Sequence, residues 1–264
     1  MLKRNLVIFS LIATILLSST VAFASTSNID KSQLESGLIS INYTPKKDVA
    51  TKVMISKGDV KYTYDIKAYN SFPLQLGDGK YTVSILENVD GNKYRQVEKE
   101  EINLKLSNAN TVFLQSSQIV NWNENMDAIK KANELTKGAK NDNEKVVAIY
   151  NYIVNNISYD NDKAVSVQAG YIPSIDSTLK EQEGICYDYS ALFAAMLRSV
   201  DVPTKLVMGR KNDIDTYHAW NQVYLKDTNE WITIDTTYDA SMKKGNAATS
   251  MIKNDKEYTV EKQY

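Results

Sequence analysis

The chain contains a single cysteine and a single histidine, and each lies in a patterned stretch of sequence. Cys186 stands at the start of an apolar helical pattern, and His218 lies in a run typical of a β-strand. Asp235 follows at the end of a second strand-like run. A thiol, an imidazole and a carboxylate are the groups an enzyme needs to make and break an acyl-thioester. The thiolate attacks, the imidazole moves the proton, and the carboxylate orients the imidazole.

The predicted elements can bring these three groups together. Gly184 permits a sharp turn, so Cys186 falls in the first turn of its helix, where the dipole and unpaired N–H groups point toward the sulfur. A helix N-terminus and an imidazolium lower the pKa of a nearby thiol, and the same N–H groups can hold an oxyanion. His218 and Asp235 lie on strands joined by a short loop at residues 227–229. We expect them opposite or diagonal, with Cβ atoms within about 5–8 Å.

Each residue also has an ordinary structural interpretation. A cysteine often packs as a small buried hydrophobe, a histidine can be a strand residue with both nitrogens satisfied, and an aspartate can simply end a strand. The three together in one half of the chain favour catalysis. A zinc site is the other joint interpretation, but one cysteine and one histidine leave two coordination positions to carboxylates. We therefore expect neither a metal nor another cofactor.

The hydrophobic pattern divides the chain into two parts. Between about residues 36 and 115, apolar and polar residues alternate, which is typical of strands with one buried face. Glycine-containing turns at 77–79 and 90–92 separate these runs. We predict a small all-β domain at residues 30–118, an immunoglobulin-like sandwich.

From Trp122 onward the apolar period becomes helical. One helix is predicted from Met126 to Leu135, and a second, capped by Asp142 or Asn143, carries its apolar face from Val146 to Ile157. The cysteine helix ends before Pro203, and strands follow at 205–208, 217–225 and 231–235, with a further strand expected around Tyr258–Val260. Helices followed by an antiparallel sheet predict an α+β domain over residues 119–264.

The first 24 residues predict a secretory signal peptide. Lys3 and Arg4 precede an apolar run from Leu6 to Leu17, and Ala22-Phe23-Ala24 supplies small residues for cleavage. The alternative, an uncleaved membrane anchor, fits poorly because the run is short and is followed by polar residues. Cleavage would lower the formal net charge from −1 to −3, which argues against a nucleic-acid partner. We expect a secreted protein without a membrane span after cleavage, in which an unpaired cysteine is either buried or reactive.

Three blocks around the candidate residues resemble the transglutaminase-like superfamily, and secreted bacterial members look closest. The blocks are Gly184-x-Cys186-x-Asp188-Tyr189-Ser190, His218-Ala219-Trp220-Asn221-x-Val223-Tyr224 and Trp231-x-x-Ile234-Asp235-x-Thr237. The resemblance covers roughly residues 120–264, and Asn156–Asp160 resembles a further block upstream of the cysteine. It implies a papain-like α+β core and a Cys-His-Asp triad. By position, Cys186 is the nucleophile, His218 the base and Asp235 the orienting carboxylate.

The sequence departs from the family pattern at two places. Thr236 stands where the family often has proline, and no tryptophan lies between residues 123 and 186 to match the indole that animal transglutaminases use toward the oxyanion. Tyr159 and Gln168 are the candidate substitutes for that indole. Trp220 is a candidate wall of a substrate tunnel. Calcium is used by animal relatives, but no acidic loop here requires it.

The leading functional hypothesis is an exported thiol enzyme that acts on protein or peptide amides through a thioester. An amine acceptor would make it an acyltransferase that cross-links proteins, and water would make it a peptidase or amidase. The alternative is a non-catalytic cell-surface or cell-wall binding protein that retained the fold. In a third hypothesis the β-domain binds the cell wall or a surface protein, and the second domain modifies what is bound.

Overall fold

The computed structural model describes residues 15–16, 27–66 and 70–264, and the chain divides into two units, Met1–Lys105 and Leu106–Tyr264. Apart from Ile15 and Leu16, the predicted signal peptide at residues 1–24 lies outside the described residues. The domain limits expected from the sequence, 30–118 and 119–264, stay predictions.

The described part of the first unit is built from strands. They are β1 Ile15–Leu16, β2 Ile29–Asp30, β3 Leu38–Ile41, β4 Thr51–Lys57, β5 Val60–Asp65, β6 Ser71–Pro73, β7 Gly79–Asp90 and β8 Lys93–Leu104. One sheet has the order β1-β8-β7-β4-β5 and a smaller one the order β2-β3-β6. The predicted turn at 90–92 joins β7 to β8, with Gly91 at a positive φ of 50°. The immunoglobulin-like assignment stays a prediction.

A buried carboxylate lies within the larger sheet of this unit. Glu87 on β7 is buried and forms ion pairs with Lys46 at 3.0 Å and Arg95 at 2.6 Å. Tyr43 also donates its hydroxyl to Glu87. Burial opposes the charge, but the hydrogen bonds from Tyr43, Arg95 and Lys46 outweigh it and lower the pKa of Glu87 to about 2.

The second unit has helices and then a four-stranded antiparallel sheet. Its elements are α1 Asp127–Leu135, α2 Asp142–Asn156, β9 Ser158–Tyr159, α3 Asn161–Ser166, α4 Ile175–Glu181, β10 Glu183–Gly184, α5 Cys186–Ser199, β11 Thr204–Lys211, β12 Ile214–Leu225, β13 Glu230–Ile234, α6 Thr236–Lys244 and β14 Tyr258–Gln263. The large sheet has the order β13-β12-β11-β14. This is the mixed α and β structure that the period change predicts.

Helix α5 forms the centre of the second unit. It packs against α1, α2 and α4 and against strands β11 and β12. Its residues from Asp188 to Arg198 are all buried, so the helix is enclosed rather than amphipathic. Because α5 begins at Cys186, the core itself fixes the direction in which the helix presents the cysteine.

Two local predictions differ from the structure. The N-cap of α2 is Asn141, whose side chain accepts the backbone N–H of Glu144, so the expected cap at Asp142 or Asn143 is wrong by one or two residues. No element is predicted between the second helix and the cysteine helix, but the structure has the short helices α3 and α4 there. The strand expected near Tyr258 is present as β14. Within the described residues, no helix has the length and apolarity needed to cross a membrane.

Candidate active site

Cys186 occupies the first position of α5 and is partly accessible. The preceding strand β10 pairs in parallel with β9, so that Gly184 lies beside Tyr159. Glycine is needed at 184 because a Cβ there would lie 2.7 Å from the Cβ of Asp188. The backbone just before the cysteine therefore passes tightly over the first turn of α5.

A buried carboxylate caps the start of α5. Asp188 is fully buried, and its Oδ2 accepts the backbone N–H of Ile185 at 2.8 Å, as an acidic residue at the third helical position is expected to do. The same oxygen is 2.8 Å from the ammonium of Lys163, and Oδ1 accepts the hydroxyl of Tyr171. Helix α3, through Lys163, and the loop that carries Tyr171 are thus tied to the turn that carries the thiol.

His218 and Asp235 form a buried hydrogen-bonded pair. The Nε2 of His218 is 2.7 Å from the Oδ2 of Asp235. In the β12–β13 ladder Asn221 pairs with Ile234, so Asp235, one residue past β13, lies diagonal to His218. Of the two arrangements that the sequence allows, the structure has the diagonal one.

The imidazole also contacts the thiol. Burial opposes protonation of His218, but its hydrogen bonds to Asp235 and to Cys186, together with their charges, raise the pKa of His218 to about 10. Since Nε2 faces Asp235, Nδ1 is the ring nitrogen left for Cys186. The structure therefore brings together the three residues that the sequence singled out.

The Asp235 carboxylate has two further donors. Asp235 is the N-cap of α6, and its Oδ1 accepts the backbone N–H of Tyr238 at 3.0 Å. The hydroxyl of Tyr258 on β14 donates to Oδ2 at 3.2 Å, the oxygen that also faces His218. A fully buried carboxylate is thus satisfied on both oxygens, as burial requires.

A side-chain amide joins the cysteine helix to the histidine strand. Asn221 on β12 is fully buried, and its Nδ2 donates to the carbonyl of Ser190 on α5 at 3.0 Å and to that of Lys205 on β11 at 3.1 Å. Asn221 is three residues after His218, and Ser190 is one helical turn after Cys186. These bonds fix the spacing between the elements that carry the thiol and the imidazole.

The three other candidate residues from the sequence lie in different surroundings. Tyr159 lies near Cys186: burial raises the pKa of its hydroxyl, and the charge of Cys186 adds to the effect. Gln168 is exposed, and its side-chain N–H donates to the carbonyl of Ser166. Trp220 is fully buried and stacks on His218 with ring centroids 6.2 Å apart, so it supports the imidazole from within.

Several residues of this site were not singled out from the sequence. Asp188 stood only as part of a motif, although an acidic residue three positions after Ile185 is a helix-start signal that could have revealed its cap. Lys163, Tyr171 and Tyr258 gave no such signal because they reach the site through long-range contacts. Within the described residues, no group of three or more histidine, cysteine or acidic side chains is arranged to hold a metal ion.

Comparison with known proteins identifies a family over part of the chain. Residues 129–236 match the model of the transglutaminase-like superfamily, so the second unit carries a transglutaminase-like superfamily domain. In general terms, the match supports a cysteine-type enzyme. No curated protein matches the chain.

Three solved structures illustrate the structural likeness. A protein of Cytophaga hutchinsonii, provisionally assigned as a cysteine protease, is 18% identical, with 76% of this chain and 70% of that one covered and a TM-score of 0.42. The periplasmic domain of TgpA from Pseudomonas aeruginosa, bound to ethylmercury, is 11% identical over 83% of this chain and 98% of that one, with a TM-score of 0.42. Red sea bream transglutaminase is 12% identical over 76% and 48%, with a TM-score of 0.30.

Proposed function

We propose that the chain is an exported thiol enzyme that cleaves or transfers the acyl groups of protein or peptide amides through a thioester on Cys186. The observation that carries the proposal is the contact of one imidazole with both a thiol at a helix start and a buried carboxylate. In this role Cys186 is the nucleophile, His218 transfers protons and Asp235 orients His218.

The first half-reaction forms the acyl-enzyme. The sulfur of Cys186, as thiolate, attacks the amide carbonyl, and a C–S bond forms while the carbonyl oxygen becomes an oxyanion. The protonated His218 gives its proton to the departing nitrogen, and the C–N bond breaks. The raised pKa of His218 fits this step, because the ring carries a proton at neutral pH. Ammonia or an amine leaves, and a thioester remains.

The second half-reaction releases the acyl group. An amine or water attacks the thioester, and the C–S bond breaks. Neutral His218, having given up its proton in the first step, accepts one from the attacking group, which restores the charged pair. An amine acceptor gives transamidation and water gives hydrolysis, and the proposal covers both outcomes.

Two features support stabilisation of the oxyanion. Cys186 stands at the positive end of a 14-residue helix, where backbone N–H groups point outward. The hydroxyl of Tyr159 lies near the thiol, and its raised pKa keeps it protonated and able to donate. We propose Tyr159, rather than the exposed Gln168, as the side-chain donor in place of the missing tryptophan.

The proposal extends to the first unit and to the site of action. The sequence at residues 1–24 supports export, and the strand-rich first unit supports an immunoglobulin-like accessory domain that binds cell wall or a surface protein. Loss of binding on deleting residues 30–115, with turnover of a small peptide unchanged, is the expected result. Binding that survives the deletion would contradict this role for the first unit.

Turnover of a glutamine peptide tests the main proposal. The protein would be incubated with a glutamine-containing peptide, with and without a labelled primary amine, and ammonia release, amine incorporation and peptide cleavage would be followed by mass spectrometry. We expect product, and an acyl adduct on Cys186 that is absent from Cys186→Ala. Tyr238→Phe is the matched control, because the Tyr238 hydroxyl contacts Asp213 and only its backbone contacts Asp235.

Two results would decide against an enzyme. If wild type and Cys186→Ala give the same product levels across a panel of peptides, the thiol does no chemistry. If Cys186 also fails to react with a small alkylating agent in the folded protein, the non-catalytic binding protein becomes the better account.

A further inference from the structure

Tyr258, at the start of β14, contacts the candidate triad through Asp235. Its hydroxyl donates to the Oδ2 of Asp235 at 3.2 Å, and the Nε2 of His218 is 2.7 Å from that same oxygen. Tyr258 and Asp235 are both buried. One carboxylate oxygen therefore divides its hydrogen-bonding capacity between an imidazole and a phenol.

The backbone around Tyr258 is shaped to bring this phenol to the carboxylate. Tyr258 begins β14, which pairs with β11 in one register from Lys211 to Gly209, and the register shifts only between Gly209 and Met208. A Cβ at Gly209 would lie 2.0 Å from the carbonyl oxygen of Thr259, so only glycine lets the strands approach this closely. On the opposite edge of β11, Gly209 pairs with His218 of β12. The close approach thus lies directly beside the imidazole strand.

Two buried side chains lie beside the phenol ring. The ring centroid of Trp220 is 5.0 Å from that of Tyr258 and 6.2 Å from that of His218. The ammonium of Lys211, which is almost fully buried, lies 5.4 Å from the centroid of the Tyr258 ring. The ring has little freedom to turn away from Asp235.

We propose that Tyr258 is a positioning residue of this site, whose hydroxyl fixes the Asp235 carboxylate and limits the hydrogen bond that the carboxylate makes to His218. This assignment rests on the proposed function of the triad and adds a fourth member to it. The negative charge of Asp235 keeps the phenol protonated, since burial and that charge both raise the pKa of Tyr258. The hydroxyl is therefore a donor throughout the working pH range.

Removing the Tyr258 hydroxyl should shift the pKa of His218 in a definite direction. Without the Tyr258 hydroxyl, the Oδ2 of Asp235 is a stronger acceptor for His218, and the carboxylate stabilises the protonated imidazole more strongly. Neutral His218 beside a poorly satisfied Asp235 becomes less favourable than the charged pair. In Tyr258→Phe we therefore expect His218 to keep its proton to a higher pH, by about half to one pH unit.

Other titratable groups surround the pair and remain in place in this variant. Those that face His218 and Asp235 or their direct partners are Cys186 on α5, Tyr150 on α2, Lys211 on β11, Asp239 on α6, and Glu257 and Lys253 from the segment before β14. Each keeps its contacts when only one hydroxyl is deleted. The shift can then be assigned to that hydroxyl.

The single histidine makes the test direct. The full chain, without a histidine tag, would be labelled with ¹³C-histidine, and the imidazole signal would be followed by NMR from pH 5 to 11 in wild type, Tyr258→Phe and Tyr238→Phe. Thermal melting would first show that each variant is folded. We expect an upward shift in Tyr258→Phe and the wild-type curve in Tyr238→Phe.

The outcomes separate this inference from the proposed function. If wild-type His218 titrates high and Tyr258→Phe titrates at the same pH or lower, the positioning role is wrong and the triad stands. If wild-type His218 titrates as an ordinary exposed histidine does, the triad itself fails. A shift of equal size in Tyr238→Phe would also overturn the assignment, because removing another nearby tyrosine hydroxyl would then change the pKa of His218 as much.

Discussion

The first turn of the cysteine helix depends on Asp188, and removing its side chain should loosen that turn. Asp188→Ala deletes the acceptor for the Ile185 N–H, which is worth about 1 kcal/mol as a helix cap. It also deletes the acceptor for Tyr171, a charge-assisted bond worth about 1.5–3 kcal/mol when buried and less here because Tyr171 is half-buried. The ammonium of Lys163 is 27% exposed and can regain water, so its loss contributes under about 1 kcal/mol.

These contributions give a destabilisation of about 3 kcal/mol for Asp188→Ala. In a unit of this size each kcal/mol lowers the melting temperature by about 2–4 °C, so the midpoint should fall by about 6–12 °C. Urea denaturation and thermal melting measure the loss, and alkylation of Cys186 reports whether the thiol has moved.

A matched variant makes this prediction refutable. Asp127 also stands in the first turn of a helix, but its ion pair with Lys130 is exposed to water. Asp127→Ala should therefore leave the midpoint unchanged within error. If Asp188→Ala changes stability no more than Asp127→Ala does, the buried network does not hold the helix start, and the reasoning is wrong.

Three further variants test other contacts. Because the pKa of Glu87 is lowered, its ion pairs stabilise the first unit above about pH 4.5, and that stability is lost as the pH falls toward about 2. Urea denaturation should therefore show that the free energy of unfolding changes less between pH 6 and pH 3 in Glu87→Gln than in wild type. Gly209→Ala places a Cβ against the carbonyl of Thr259 and should cost about 2–3 kcal/mol, measured by urea denaturation, whereas a neutral effect would contradict the close approach. Asn221→Ala removes the side-chain donor that joins the carbonyls of Ser190 and Lys205, and it should cost about 2–3 kcal/mol; an unchanged midpoint would show that these bonds do not tie the helix to the sheet.

The elements that carry Cys186, His218 and Asp235 could be predicted from the sequence, because local patterns encode helices and strands. A helix start at Cys186 follows from Gly184 and the apolar period, and the strand that carries His218 follows from its alternation. The short loop of the hairpin left two placements of Asp235 open, opposite or diagonal to His218, and the structure has the diagonal one. These features depend on residues close together in the chain.

The supporting contacts could not be predicted in the same way. Tyr258 reaches Asp235 because β14 pairs with β11 so that Tyr258 lies opposite Lys211, and nothing in the residues near Tyr258 specifies that pairing. Lys163 and Tyr171 meet Asp188 through the path of the chain between α2 and α5. Such contacts are decided by packing over distances that periodicity does not describe.

Titration of the single histidine tests the central claim most directly. The claim is that Cys186, His218 and Asp235 form one coupled unit. NMR of the labelled imidazole should show that wild-type His218 keeps its proton until about pH 10. Cys186→Ala should lower that pKa, because the hydrogen bond and the charge of Cys186 no longer stabilise the protonated imidazole. A wild-type midpoint near 6.5 that does not move in Cys186→Ala would contradict the account, because the imidazole would then be independent of the thiol.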